Sequence, residues 1–183
     1  MRKFLKIALI ILMVIILSSC SKLVSKDKQD YETYYKFHME STYGVEKCLP
    51  DIDEVLNNDS FQFKHYKYSM VFVGYGTVVS QELSEEEFEV KREELNKTYT
   101  FLNEPIYRTF EEESVIIPTG SFEIDGYSFR VISEGYYPND FGMIAFSEEE
   151  NRILYFAYYD QDLDYIDDMV DFVKEIYPGW NKW

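Results

Sequence analysis

Cysteine, histidine and positive charge are scarce in this chain of 183 residues, which has two Cys, two His and 18 Lys+Arg against 34 Asp+Glu. Each scarcity excludes something. With only Cys20 and Cys48, at most one disulfide is possible, so a domain must rely on its core. With only His38 and His65, neither in H-E-x-x-H or another ligand spacing, imidazole chemistry has no motif to stand on. With Arg2, Lys3 and Lys6 set apart, the residues after Ser19 hold 15 bases and 34 acids, a net charge of −19. That balance argues against nucleic acid, whose phosphates are bound by Lys and Arg displacing counterions. It argues equally against a domain held on anionic lipid by charge alone. What the chain has in quantity is aromatic surface, 17 Tyr and 14 Phe among residues that are 46% hydrophobic, so it can build a core. Its length fits one domain.

The one strong motif is at the N-terminus. A basic start, Met1 to Lys6, is followed by the eleven uncharged apolar residues Ile7 to Leu17. As a helix these would span about 16 Å, half of the ~30 Å hydrocarbon core and right for the apolar region of a signal peptide. The run then closes in Leu17-Ser18-Ser19-Cys20. This resembles the signal of bacterial membrane lipoproteins, in which an aliphatic and two small residues precede a cysteine. The resemblance implies a signal peptide over residues 1–19, diacylglycerol (palmitate-type chains) on the Cys20 sulfur, cleavage before Cys20, and a protein on the outer face of the cytoplasmic membrane. Two acyl chains suffice for a stable anchor.

The residues from 20 to 29 (CSKLVSKDKQ) are polar and read as a tether, and residues 30–183 as a single α+β domain. Tyr31, Tyr34, Tyr35, His38 and Thr42 keep helical spacing to Gly44, and Leu49 to Leu56 reads as a helical turn. Phe61 to Tyr68 alternates as a strand, with His65 on its apolar side. Val71 to Ser80 reads as a strand with a bulge or bend at Gly74 and Gly76. Ser84 and Glu87 form a capping box for a helix to about Thr98, with Phe88, Leu95 and Tyr99 inward and Glu87/Lys91 and Glu93/Lys97 paired. Glu111 to Glu113 reads as a loop, and Phe122 to Phe129 as a hairpin on Asp125-Gly126. Phe141 to Phe146 and Ile153 to Tyr159 are strands, the second apolar on both faces. Leu163 to Tyr177 closes as a helix, and Trp180 and Trp183 pack back on the sheet. The expected fold is α+β, with a mostly antiparallel sheet of five to six strands and helices on one face. The Tyr- and Phe-rich strands, the capping-box helix and the Asp-rich link to a last helix resemble small lipoproteins of anaerobic Gram-positive bacteria, a likeness that implies no activity.

No catalytic, metal or cofactor site is read. Asp160, Asp162, Asp164, Asp168 and Asp171 stand at positions 1, 3, 5, 9 and 12 of a calcium-type loop, but Tyr165 replaces the turn glycine, Asp167 the aliphatic residue and Asp171 the longer Glu. Helix capping accounts for them better. Cys48 reads as a small buried hydrophobe. Adjacent tyrosines are the remaining lead. Adjacent pairs stand at Tyr34-Tyr35, Tyr136-Tyr137 and Tyr158-Tyr159, and on a strand one ring of each pair must face away from the other. Exposed Tyr suits a protein partner or sugar rings. The expected function is a lipid-anchored, non-enzymatic binding or interaction module for a protein or wall component. The alternative is a cell-envelope hydrolase, which a pocket joining His65 or His38 to a Ser or Asp would favour.

Overall fold

Residues 152–160 put a large apolar side chain on each face in turn, so this strand is stable only between two apolar layers. The computed structural model, which describes residues 21–41, 48–69, 72–108 and 111–183, places it there. The strands are β1 (Ser21–Ser25), β2 (Phe61–Ser69), β3 (Val73–Glu82), β4 (Ile106–Arg108), β5 (Glu111–Ile117), β6 (Ser121–Ile124), β7 (Tyr127–Tyr136), β8 (Asp140–Ser147) and β9 (Arg152–Asp160). The helices are α1 (Tyr31–Ser41), α2 (Ile52–Asn57), α3 (Glu85–Thr98) and α4 (Met169–Ile176). The order β1-β2-β3-β9-β8-β7-β6 makes a seven-stranded sheet in which every neighbouring pair is antiparallel, and β4-β5 form a separate ribbon. β9 is the central strand.

The α+β class and the antiparallel sheet agree with the sequence. The sheet has seven strands where five to six were expected, and helices cover both faces where one was expected. The alternation along β9 shows why. Leu154, Phe156 and Tyr158 join Val173, Tyr177 and Trp180 of the C-terminal helix and tail. Ile153, Tyr155 and Ala157 join Tyr31, Val55, Phe88 and Leu95 of α1, α2 and α3. A strand with two apolar faces needs two covering layers.

Local signals account for most elements. Ser84 Oγ accepts from Glu87 N at 3.4 Å while Ser84 N donates to Glu87 Oε2 at 3.0 Å, completing the capping box of α3. Glu87 is thereby engaged, and Lys91 pairs instead with Glu94 at 3.2 Å, whereas Glu93 and Lys97 pair at 3.0 Å as expected. Asp125 and Gly126 both have positive φ, 51° and 82°, which the two-residue β6–β7 turn requires.

Four expectations are corrected. Ser21–Ser25, read as tether, pairs with Ser69–His65 as an edge strand, and Lys28–Asp30 form a 3₁₀ turn capped by Asp27. β3 has no bulge, since its register with β2 and β9 is unbroken. Gly76 serves a close approach instead, because a Cβ there would lie 2.7 Å from Tyr177 Cε1. Glu111 to Glu113 belong to β5, where Glu111 pairs with Arg108 of β4 and a register irregularity separates that pair from Tyr107 and Val115. The last helix begins at Met169, six residues late, because Ile166 N donates to Ile116 O and Asp168 Oδ1 caps the helix at Asp171 N. Gly44 and Cys20 lie outside the described residues.

The C-terminal tail is pinned by a buried charge. Lys64 is 1% exposed, and its Nζ donates to the carbonyls of Gly179 (2.6 Å), Trp180 (3.4 Å) and Lys182, 4.1 Å from the Trp183 ring centre. Burial, with a smaller push from Lys26, lowers Lys64 from 10.5 to about 8. Between these values the unfolded chain holds a proton that the folded domain has released, so the contribution of this group to stability rises with pH across that window. From pH 7 to 9 the gain is about 1.4 kcal/mol. Thermal midpoints should therefore rise by roughly 3–6 °C over that interval relative to a Lys64→Met variant. Parallel pH profiles for the two proteins would contradict this.

Candidate functional site

The sheet register brings together residues that are far apart in the chain. Lys67 of β2 lies opposite Tyr75 of β3, Tyr75 opposite Tyr159 of β9, Tyr159 opposite Asp140 of β8, and Asp140 opposite Tyr136 of β7. Directly opposed residues share a face, so these five form one row across five adjacent strands. At about 4.8 Å per strand the row is roughly 19 Å long. The Tyr75 and Tyr159 rings are 6.5 Å apart at 32°, and Lys67 Nζ stands 5.4 Å from the Tyr75 ring centre. Lys67, Tyr75 and Tyr159 are half-buried, Tyr136 is 63% exposed, and Asp140 is buried between them.

The next row inward is closed. His65 of β2 faces Thr77 of β3, with Nδ1 and Thr77 Oγ1 2.9 Å apart. The Tyr34 ring, delivered by α1, stacks on the imidazole at 3.6 Å and 14°. His65 is fully buried in consequence. Burial, aided by Asp30 and Tyr75, raises the Tyr34 phenol above its ordinary value. Further along, Cys48 covers Gly142, where a Cβ would lie 2.7 Å from its Sγ, and the thiol donates to Phe156 O at 3.1 Å. The layer of α1 and the Cys48–Pro50 segment thus packs over the second row, and the tyrosine row lies along its margin.

Chemically, the row offers π faces, phenol hydroxyls, one ammonium and the buried carboxylate of Asp140. Tyrosine gives large contact area at the cost of ordering only two torsions, and its face and hydroxyl suit sugar rings, aromatic side chains and polar groups alike. The imidazole of His65 is sealed one row away, under Tyr34.

The sequence lead on paired tyrosines holds in the strands. Tyr158 is buried against α4 while Tyr159 faces the opposite layer, and Tyr136 is exposed while Tyr137 packs on Phe141. Tyr34 and Tyr35 both pack on the α1 side, with Tyr31 between Tyr35 and Phe63. His65 is packed and hydrogen-bonded, and Cys48 is buried, both as expected. The acidic run is dispersed. Asp160 Oδ1 accepts from Asp162 N at 2.8 Å, Asp164 is exposed in the link to α4, and Asp168 caps that helix. Among the described residues no three His, Cys, Asp or Glu are grouped to hold a metal ion. The backbone of His38 lies in α1, and its side chain is outside the described set. Sequence reasoning missed Lys67, Tyr75 and Asp140, which the β2–β3, β3–β9 and β8–β9 pairings bring into one row. No described helix is long and apolar enough to cross a membrane. Comparison of the chain with protein-family models, with curated proteins and with solved structures finds no match.

Proposed function

We propose that the chain is a membrane-anchored extracytoplasmic lipoprotein, attached through lipid on Cys20, whose domain is a non-enzymatic binding module. The row of Tyr75, Tyr159 and Tyr136 with Lys67 carries the reading, as a partly exposed aromatic strip where a cell-envelope polymer or partner protein can lie across the strands. The anchor rests on Leu17-Ser18-Ser19-Cys20 directly after an eleven-residue apolar run. The hydrolase reading finds less support, because His65 is buried under Tyr34 and bonded to Thr77 rather than placed in a pocket with a Ser or Asp.

Two measurements test the two halves separately. Radiolabelled palmitate should enter the wild-type protein and not a Cys20→Ala variant, and label in the variant would remove the anchor from the proposal. In-cell crosslinking of the native protein should capture a discrete envelope partner. A Tyr75→Ala/Tyr159→Ala double variant should lose that product by about tenfold or more, since stacked aromatic contacts are worth about 1 kcal/mol each. An unchanged crosslinking pattern would show that the row is not the binding surface.

A further inference from the structure

A second concavity, of about 450 Å³, lies between α3 and the β6–β7–β8 end of the sheet and is lined by Arg92, Asn96, Glu123, Ser128, Arg130 and Glu148 among others. Its volume suits a small molecule. The two arginines differ. Arg92 is occupied, with Nη1 at 2.7 Å from Glu148 and Nη2 at 2.5 Å from Glu89. Arg130 forms no ion pair with any described residue, in a chain where acids outnumber bases 34 to 18. Its guanidinium lies over the Phe101 ring at 4.0 Å and donates through Nη1 to Asn96 Oδ1 at 2.7 Å. Stacking and one amide bond fix the plane of the group and leave most of its five N–H donors open. A guanidinium held in this way is the fork that matches the two oxygens of a carboxylate.

Glu123 supplies the opposite charge. On the β6–β7 ladder Glu123 faces Ser128 and Ser121 faces Arg130, so Glu123 and Arg130 share a sheet face as diagonal neighbours. The Cα atoms of such neighbours lie roughly 7–8 Å apart. Arg130 is nevertheless turned toward Phe101 and Asn96, and no ion pair closes the gap. The cleft is thus lined by a guanidinium with open donors and by a carboxylate that no described base pairs, and it takes a ligand bearing both complementary charges. We infer that this cleft binds a small zwitterion of the amino-acid type, its carboxylate on Arg130 and its ammonium on Glu123.

Calorimetric titration of the full-length protein in detergent with alanine, and with alanyl-alanine as the longer arm, tests this. Saturable binding of either is expected. Masking the ammonium by acetylation, or the carboxylate as the amide, should weaken it about tenfold or more, because each blocked end leaves a charged group unpaired. Arg130→Lys, which keeps the charge and loses the fork, should weaken binding by a similar factor. Glu123→Gln should lower affinity for the zwitterion and leave the weak binding of the acetylated probe unchanged. No saturation by about 10 mM, equal binding of the masked probes, or insensitivity to both substitutions would overturn the inference. None of these results depends on the tyrosine row.

Discussion

Tyr177→Ala should lower stability by about 4 kcal/mol, in the range of large-to-small core substitutions, and the thermal midpoint by roughly 8–16 °C. Tyr177 follows α4 and is fully buried. Its ring lies on Gly76 of β3, edge-on to Phe156 at 4.9 Å and 84° and to Tyr66 at 5.7 Å and 90°. Its hydroxyl donates to Ala157 O at 2.8 Å. One side chain thus joins the C-terminal layer to β2, β3 and β9, where the N-terminal strands meet the C-terminal meander. Tyr177→Phe keeps the ring and loses one buried donor, and should cost about 1 kcal/mol. Gly76→Ala intrudes on the same ring and should cost about 1–3 kcal/mol as overpacking. Thermal or urea midpoints of the three variants check the ranking, and a Tyr177→Ala midpoint close to wild type would refute it.

The second large effect is alkaline unfolding. Burial raises the phenols of Tyr31, Tyr66, Tyr127, Tyr155 and Tyr177 above the ordinary value of 10.0, Tyr66 to about 12. Tyr127 is raised further by donating to Glu150 at 2.6 Å. A phenol that ionises in the unfolded chain while its folded counterpart keeps the proton favours the unfolded chain as pH rises. The stability of these groups is therefore complete below pH 10 and is lost above it. Each contributes about 1.4 kcal/mol of loss per pH unit, together about 7 kcal/mol by pH 11, comparable with the whole stability of a typical domain. Cooperative unfolding is expected close to pH 11, with tyrosinate absorbance and far-UV circular dichroism changing together. Phenol titration near pH 10 without loss of structure would show that the rings are not sealed. The gain from Lys64 between pH 8 and 10.5 is smaller and is overtaken in this range.

Signals confined to a few consecutive residues were legible in the sequence. Ser84-x-x-Glu87 specifies a helix start, Asp125-Gly126 a hairpin, and the two apolar faces of residues 153–159 a central strand. Where a distant contact decides, the sequence misleads. Ile166 has helical spacing with Met169 and Val170, yet its N–H goes to Ile116 O and delays the helix. Three consecutive glutamates at 111–113 look like a loop, yet Glu111 pairs with Arg108 and opens a strand, since backbone pairing does not depend on what the side chain prefers. The site divides in the same way. The opposed faces of Tyr158 and Tyr159 follow from strand alternation. That Tyr159 would lie beside Tyr75, 84 positions earlier, depends on a pairing between the two halves of the chain. Arg130 gave no signal, because its lack of an acidic partner among the described residues is a property of packing and not of spacing.

Strand β1 begins at Ser21, in register with Ser69, one residue after Cys20. A lipid on Cys20 would then leave no slack between bilayer and sheet. A domain on a long leash samples a wide volume, whereas this one would stand on the membrane by its edge in a restricted set of orientations. The bilayer would shield the start of an edge strand, an element that can pair with another chain. Lys67 lies two residues in from Ser69, about 7 Å along the strand, so the tyrosine row would begin within about a nanometre of the lipid headgroups. Whatever lies along it would have to come to the membrane surface to be held, and inserting a flexible spacer after Cys20 would change which molecules can reach it.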